Sequence, residues 1–374
     1  YVRIAWGTED PFKWELTTLA SGSEAPSAED VDIVDADGDG WPDIIVACEL
    51  AHLIYFKNPA YDHRSLKWKR TIPKITTNRG SFIRVFFADF NNDGKPEVVA
   101  ANKGGENPDI TNAPLNNISI YLLPDNPLEG DKWEELVLTQ VRIPINSQPV
   151  DLDLDGDMDI VVGSRGERRI LWLENIGDFK FAQHDIRLST PLDKGSWITG
   201  FNMDYGDLNG DGLLDIVSSV WPSSAYILFQ PHDPADKWNI LKIGSIEPDL
   251  LVSVSLGDID GDGDKDLFSG SYSLGSRDKD DSDGLNKSFG SVVWFENTEN
   301  NWIKNNILRR KRGMYDKWIP LDLDKDTDLD FIGTRGNSMP YDGVIWLEQL
   351  RGRGSNSIFQ QARQVDSESV PFND

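Results

Sequence analysis

One acidic nonapeptide recurs six times along the chain. It reads DADGDGWPD at Asp35–Asp43, DFNNDGKPE at Asp89–Glu97, DLDLDGDMD at Asp151–Asp159, DLNGDGLLD at Asp207–Asp215, DIDGDGDKD at Asp258–Asp266 and DLDKDTDLD at Asp322–Asp330. The copies start 51 to 64 residues apart. A unit recurring at this period signals a repeat architecture. More than the acidic loop repeats. Each loop leads into a short β-rich run such as IIVAC, VVAAN or IVVGS, then an aromatic alternating run such as LIYFKNP or ILWLENI. A third run is often opened by Trp, as in WKRTIP and WNILKI, and a fourth leads into the next acidic loop, as in FIRVFFADF. Such runs, rich in β-branched and aromatic residues and bounded by Gly, Pro, Asn and Asp, read as strands. Four strands per unit predict the four-stranded antiparallel blades of an all-β, single-domain β-propeller over residues 1–374. Seven blades are expected, residues 1–20 contributing strands to the closing one; six is the alternative.

The loop pattern is Asp-x-(Asp/Asn)-x-Asp-Gly-x-x-(Asp/Glu). Positions 1, 3, 5 and 9 supply side-chain oxygens, and position 7 offers a backbone carbonyl. The ligand set is Asp35, Asp37, Asp39 and Asp43 in the first copy, and Asp89, Asn91, Asp93 and Glu97 in the second. It continues with Asp151, Asp153, Asp155 and Asp159, then Asp207, Asn209, Asp211 and Asp215. The last two sets are Asp258, Asp260, Asp262 and Asp266, and Asp322, Asp324, Asp326 and Asp330. Glycine at position 6 allows the positive-φ turn that folds the loop back. Six to eight oxygens in flexible geometry suit Ca²⁺, whereas Mg²⁺ prefers a tighter octahedron. An EF-hand needs an acid at position 12 and flanking helices; here the acid is at position 9 and strands flank the loop. About six structural Ca²⁺ ions are expected. Asn91, Asn209 and Thr327 depart from the pattern and predict weaker sites in those copies.

These loops, at this spacing, resemble the FG-GAP or VCBS repeats of integrin-α-like propellers over nearly the whole chain. The resemblance implies calcium held between the first two strands of each blade, as a staple of the fold.

The formal charge of −26 argues against a nucleic-acid or anionic-membrane partner. No apolar run reaches the length of a membrane-spanning helix. Cys48 is the single cysteine, so no internal disulfide forms. The chain opens on Tyr1 without a charged-then-apolar leader, and sequons stand at Asn117 and Asn286. A secreted protein, extracellular or periplasmic, is expected.

With blade strands named A to D in chain order, the acidic loops join A to B. The B–C and D–A loops lie at the opposite end of each blade. They are long, polar and unlike one another, where binding and catalysis usually reside. Arg142, Arg165, Arg168, Arg169, Arg277, Arg309, Arg310, Arg312 and Arg335 all map there. Arginine forks suit carboxylates and phosphates, but nearby Glu49, Glu106, Glu167, Asp278 and Asp316 offer these arginines pairing partners within the protein. His52, Tyr272 and Arg165 are the candidate catalytic groups. Arg168, Arg277, Arg312, Arg335, Glu106, Asn107, Trp318 and Tyr341 are candidate substrate contacts, and Trp197 and Trp221 have the chemistry to stack on a sugar ring. The overall pattern is similar to the propellers of aldos-2-ulose dehydratase and rhamnose–glucuronate lyases. That similarity implies a lyase or dehydratase acting by β-elimination on an anionic or keto sugar. The alternatives are a non-catalytic glycan- or protein-binding propeller and a structural part of an extracellular assembly. No GxSxG, P-loop, HExxH or CxxC motif is present.

Overall fold

The computed structural model describes residues 1–9, 13–64, 67–280, 287–298, 301–351 and 366–372. Asn286 and the sixth-unit run IFQQAR lie outside the described residues. The chain is all-β, of the β-propeller class. It divides into two compact units, Tyr1–Ile186 and Arg187–Asp374.

The first unit opens with a two-stranded sheet, β1 (Val2–Gly7) and β2 (Trp14–Ala20). Blade 1 follows as β3 (Ala28–Val34), β4 (Asp43–Cys48), β5 (Leu53–Lys57) and β6 (Lys69–Thr71). Blade 2 is β7 (Phe82–Ala88), β8 (Glu97–Asn102), β9 (Leu115–Leu122) and β10 (Glu134–Arg142). Blade 3 is β11 (Pro144–Val150), β12 (Asp159–Ser164), β13 (Arg169–Asn175) and β14 (Phe181–Asp185).

The second unit holds blade 4, which is β15 (Trp197–Gly206), β16 (Asp215–Trp221), β17 (Ser224–Phe229) and β18 (Asn239–Ser245). Blade 5 is β19 (Leu250–Gly257), β20 (Asp266–Tyr272), β21 (Gly290–Thr298) and β22 (Asn301–Arg310). Blade 6 shows three strands among the described residues, β23 (Trp318–Leu321), β24 (Asp330–Arg335) and β25 (Gly343–Leu347). All pairings within the sheets are antiparallel and in sequence order.

The blade count is six, not seven. The N-terminal strands pair with each other and, among the described residues, with no blade strand. Two strands without an acidic loop make a hairpin, not a blade. Its Val2, Leu19 and Ala20 cover one side of blade 1, against Ile44, Val46, Ile54 and Phe56.

The period of two in the strands builds the core. In β4, Ile44, Val46 and Cys48 face the hairpin, while Ile45 and Ala47 face blade 2 and meet Phe82, Val85 and Val98. The same sandwiching buries Val217 and Ile227 of blade 4 against Leu251, Val254 and Phe295 of blade 5. Phe268 then packs on Trp318 and Phe331 of blade 6. Trp68, Trp133 and Trp238 stand just before the D strands of blades 1, 2 and 4 and are buried. Successive A strands are also stapled by carboxylates. Asp32 of β3 accepts the Phe87 N–H of β7 at 2.7 Å, and Asp204 of β15 accepts the Leu256 N–H of β19 at 2.7 Å.

Candidate functional site

Each acidic loop folds on its own carboxylates. The position-1 side chain accepts the N–H of position 6, as in Gly40 to Asp35 (2.8 Å), Gly94 to Asp89 (2.7 Å) and Gly212 to Asp207 (2.9 Å). In all six copies the position-5 carboxylate accepts the N–H of position 7, at 2.8 to 3.1 Å. Glycine at position 6 has φ between 83° and 100° in five copies. Thr327 is held at φ 82° in the sixth, a left-handed conformation that costs a side-chain residue about 1–2 kcal/mol. Position 4, unremarked in the pattern, is left-handed too, at Gly38, Asn92, Leu154, Gly210, Gly261 and Lys325. The two turns aim positions 1, 3 and 5 at one point. In the first, third, fifth and sixth copies, carboxylate oxygens of those positions lie within 4.8 Å of one another.

Position 9 stands apart from these gathered groups. Asp43, Glu97, Asp159, Asp215, Asp266 and Asp330 are all buried. One oxygen takes the N–H of position 2, as in Leu152 to Asp159 (3.1 Å), Leu208 to Asp215 (2.9 Å) and Ile259 to Asp266 (2.9 Å). In five blades the other oxygen takes the N–H of the residue at the end of strand C: Asn58, Asn175, Gln230, Asn297 and Gln349, at 2.7 to 3.0 Å. Position 9, expected as a fourth metal ligand, also braces the loop against strand C. Its period-2 place at the start of strand B turns it inward.

Burial raises these brace carboxyls. Asp159 and Glu97 are pushed up to about 7, and Asp215 and Asp266 to about 6. The folded state thus holds protons that an unfolded carboxyl releases above about 4. Stability must then fall as pH rises from about 4 through about 7. In chelator, the melting temperature is expected to be lower at pH 8 than at pH 5.5, and saturating calcium is expected to shrink the difference. Equal melting temperatures in chelator at the two pH values would contradict the burial argument.

At the opposite end of the blades, most of the arginines are already held. Arg309 and Asp249 form a buried pair, Nε–Oδ2 2.6 Å and Nη2–Oδ1 2.9 Å. Arg312 is buried and bonds Asp280 at 2.9 Å, and Arg335 pairs with Asp366. Arg169 bridges Glu167 and Asp185, and Arg142 stands 3.9 Å from Glu167. Arg310 donates to the Ser367 carbonyl at 3.0 Å. Of these partners only Glu167 was legible as one; Asp249 lies in a D–A loop, and Asp366 is 31 residues from Arg335.

The other candidates separate. His52 Nε2 lies 2.9 Å from the Glu24 carbonyl and ties the first B–C turn to Gly22–Glu24. Trp318 and Tyr315 are buried and stack at 5.9 Å, so Trp318 is a core residue. Tyr272 ends β20, bridged to Met314. Arg165 turns the blade 3 B–C loop by donating its N–H to Ile143, and Arg168 holds φ 54° in that turn. The Glu106 carbonyl accepts Lys103 Nζ at 2.7 Å. Asn107, Arg277 and Tyr341 are exposed.

Two aromatic groupings are only partly buried. Trp197 and Trp221 form a cross-strand pair at the loop end of blade 4, stacked at 5.6 Å and 23°, both half-buried. Their loop is fixed by Asp193, which accepts Lys242 Nζ at 2.7 Å. The second was missed in the sequence. Trp41, at position 7 of the first acidic loop, meets Tyr61 at 5.0 Å and His63 at 6.0 Å; His63 meets Trp6 at 4.9 Å. Trp41 is the only aromatic residue at position 7 in the six copies, and that was the available signal.

Residues 151–218, from the third acidic loop through the strand after the fourth, match the family model of the FG-GAP-like repeat. That stretch of the chain is an FG-GAP-like repeat. No curated protein matches it in sequence. Among solved structures, an Agrocybe aegerita lectin specific for non-reducing terminal N-acetylglucosamine is similar at TM-score 0.50 and 12% identity. The alignment covers 89% of this chain and 85% of the lectin. The V. cholerae biofilm matrix protein Bap1 aligns at TM-score 0.39 and 14% identity, over 75% of this chain and 40% of that one. The first likeness shows a shared fold. No helix among the described residues is long and apolar enough to cross a membrane.

Proposed function

We propose that this FG-GAP repeat chain is one extracellular or periplasmic propeller domain, stabilised by calcium, that binds carbohydrate without turning it over. The stacked, half-buried Trp197–Trp221 pair carries the reading. Aromatic faces held rigid in advance bind sugar rings at little entropic cost. The lectin that shares the fold supports it by analogy. Arg277 and Tyr341, exposed on B–C loops of the same unit, are candidate polar contacts. An eliminating site needs a cation to neutralise the substrate's carboxylate. Here Arg312 and Arg335 already neutralise Asp280 and Asp366, which favours binding over the lyase chemistry first expected.

Titrating the protein in calcium with N-acetylglucosamine and neutral oligosaccharides, by calorimetry and tryptophan fluorescence, tests this. Binding is expected, with Trp197→Ala or Trp221→Ala weakening it about tenfold, the worth of one aromatic contact of about 1.4 kcal/mol. Unsaturated product absorbing in the ultraviolet, formed from uronate-containing oligosaccharides or keto sugars added in parallel, would replace the binding reading with the lyase one. Wild-type-like binding in both variants would remove the Trp pair from the site.

The loops support calcium on their donor chemistry. Asp151 Oδ1, Asp258 Oδ1 and Asp328 Oδ1 are buried without a hydrogen-bond partner. Hard oxygen donors in that state fit a hard cation. Positions 1, 3 and 5 would hold it, joined by position 7 where that residue is Asp; what it supplies is charge neutralisation of the loop.

A further inference from the structure

The six loops are not alike once position 7 and the end of strand C are included. The residue before the N–H donor of the brace in strand C is Lys57 in blade 1, Glu174 in blade 3, Phe229 in blade 4, Glu296 in blade 5 and Glu348 in blade 6. Position 7 is Trp41, Lys95 and Leu213 in blades 1, 2 and 4, but Asp157, Asp264 and Asp328 in blades 3, 5 and 6. The two differences fall on the same blades. Blades 3, 5 and 6 therefore present Asp at positions 1, 3, 5 and 7, with a glutamate beside them. Blades 2 and 4 substitute Asn91 and Asn209 at position 3 and carry Lys95 or Leu213 at position 7.

Blade 1 has the opposite charge at the strand C position. The Lys57 ammonium contacts Asp37 and lies 3.1 Å from Asp39 Oδ2, within the carboxylate group of positions 1, 3 and 5. The Asp37 side chain is only 7% exposed. Its other oxygen is buried without a partner, so the lysine neutralises the loop without filling it.

We infer that the six loops are of two kinds: those of blades 3, 5 and 6 are tight divalent-cation sites, and that of blade 1 carries its own cation, the Lys57 ammonium, in place of a metal ion. Blades 2 and 4 are weak sites of lower charge. Ligand charge count sets calcium affinity over orders of magnitude, and an ammonium among the ligands opposes a second cation by direct repulsion. Glu174 also meets His184, Nε2–Oε2 2.6 Å, so its charge is shared, and blade 3 is the weakest of the three tight sites.

The inference rests on the calcium reading and narrows it. The test is calcium titration of the chelator-stripped full chain by calorimetry, with melting temperature as a second readout. Three tight equivalents are expected, separated from the rest by on the order of tenfold or more in Kd. Lys57→Glu is expected to add a fourth tight equivalent. It is also expected to lower the melting temperature in chelator and to recover it in calcium. Glu296→Gln and Glu348→Gln, which leave Lys57 untouched, are each expected to weaken one of the three by on the order of tenfold. Six equivalent tight sites, or tight binding in blade 1 with Lys57 intact, overturns the division while leaving calcium in place. No tight calcium binding at all overturns the calcium reading and the division with it.

Discussion

Replacing Asp249 with Ala is expected to destabilise the protein by about 3–5 kcal/mol, the cost of stranding a buried charge. Asp249 accepts both Arg309 nitrogens, the Phe289 N–H at 2.9 Å and the Ser291 hydroxyl. Both side chains of the ion pair are at most 2% exposed. Arg309 also lies over the Phe289 ring at 4.8 Å and donates to the Pro371 carbonyl at 2.6 Å. Removing the carboxylate leaves a guanidinium that cannot lose its proton among apolar neighbours. Urea unfolding at fixed calcium measures the loss. The double variant Asp249→Leu with Arg309→Met is expected to recover only the part due to the stranded charge, since the Phe289 N–H and the Ser291 hydroxyl still lose their acceptor. A single-variant loss below about 1 kcal/mol, as for an exposed pair, would show that the pair is hydrated in solution.

Asp159→Ala is expected to cost about 2–6 kcal/mol, from two buried N–H groups left without acceptors at about 1–3 kcal/mol each. The orphans are Leu152 N–H and Asn175 N–H. The loss is expected in chelator and in calcium alike. Asp155→Ala, at exposed position 5 of the same loop, is the contrast. In chelator it is expected to change stability by no more than about 0.5 kcal/mol, as surface substitutions do, and to matter only when calcium is present. If both substitutions cost stability only with calcium, position 9 acts as a ligand and not as a brace.

The repeat made the fold legible, because a blade is a local object. Loop, strand order and inward faces follow from residues within one period of each other, and β4 shows this with Ile45 and Ala47 facing one side and Ile44 and Val46 the other. The blade count did not follow. A β-rich N-terminus reads as blade strands until one sees that β1 has β2 as its partner. The site was less legible because its partners are distant in sequence. Arg309 meets Asp249, 60 residues away, and that separation hides in the sequence that an arginine mapped to the loop end is half of a core ion pair. Trp318 was misplaced for the same reason, since Phe268 of blade 5, packed edge-on against it, reveals that it is interior. Position 9 was half-legible. Its acidity was plain, but the N–H groups that use it belong to position 2 and to the end of strand C.

The brace also bears on how such repeats change over time. Because a carboxylate at position 9 joins the loop to strand C chiefly through main-chain groups, a blade keeps its strand register whatever the loop's other side chains become. Substitutions at positions 3 and 7, or at the end of strand C, then alter ion affinity in one blade without threatening that blade's assembly. Asn91, Asn209 and Lys57 are changes of this kind. The scaffold separates the inheritance of shape from the inheritance of metal dependence, blade by blade.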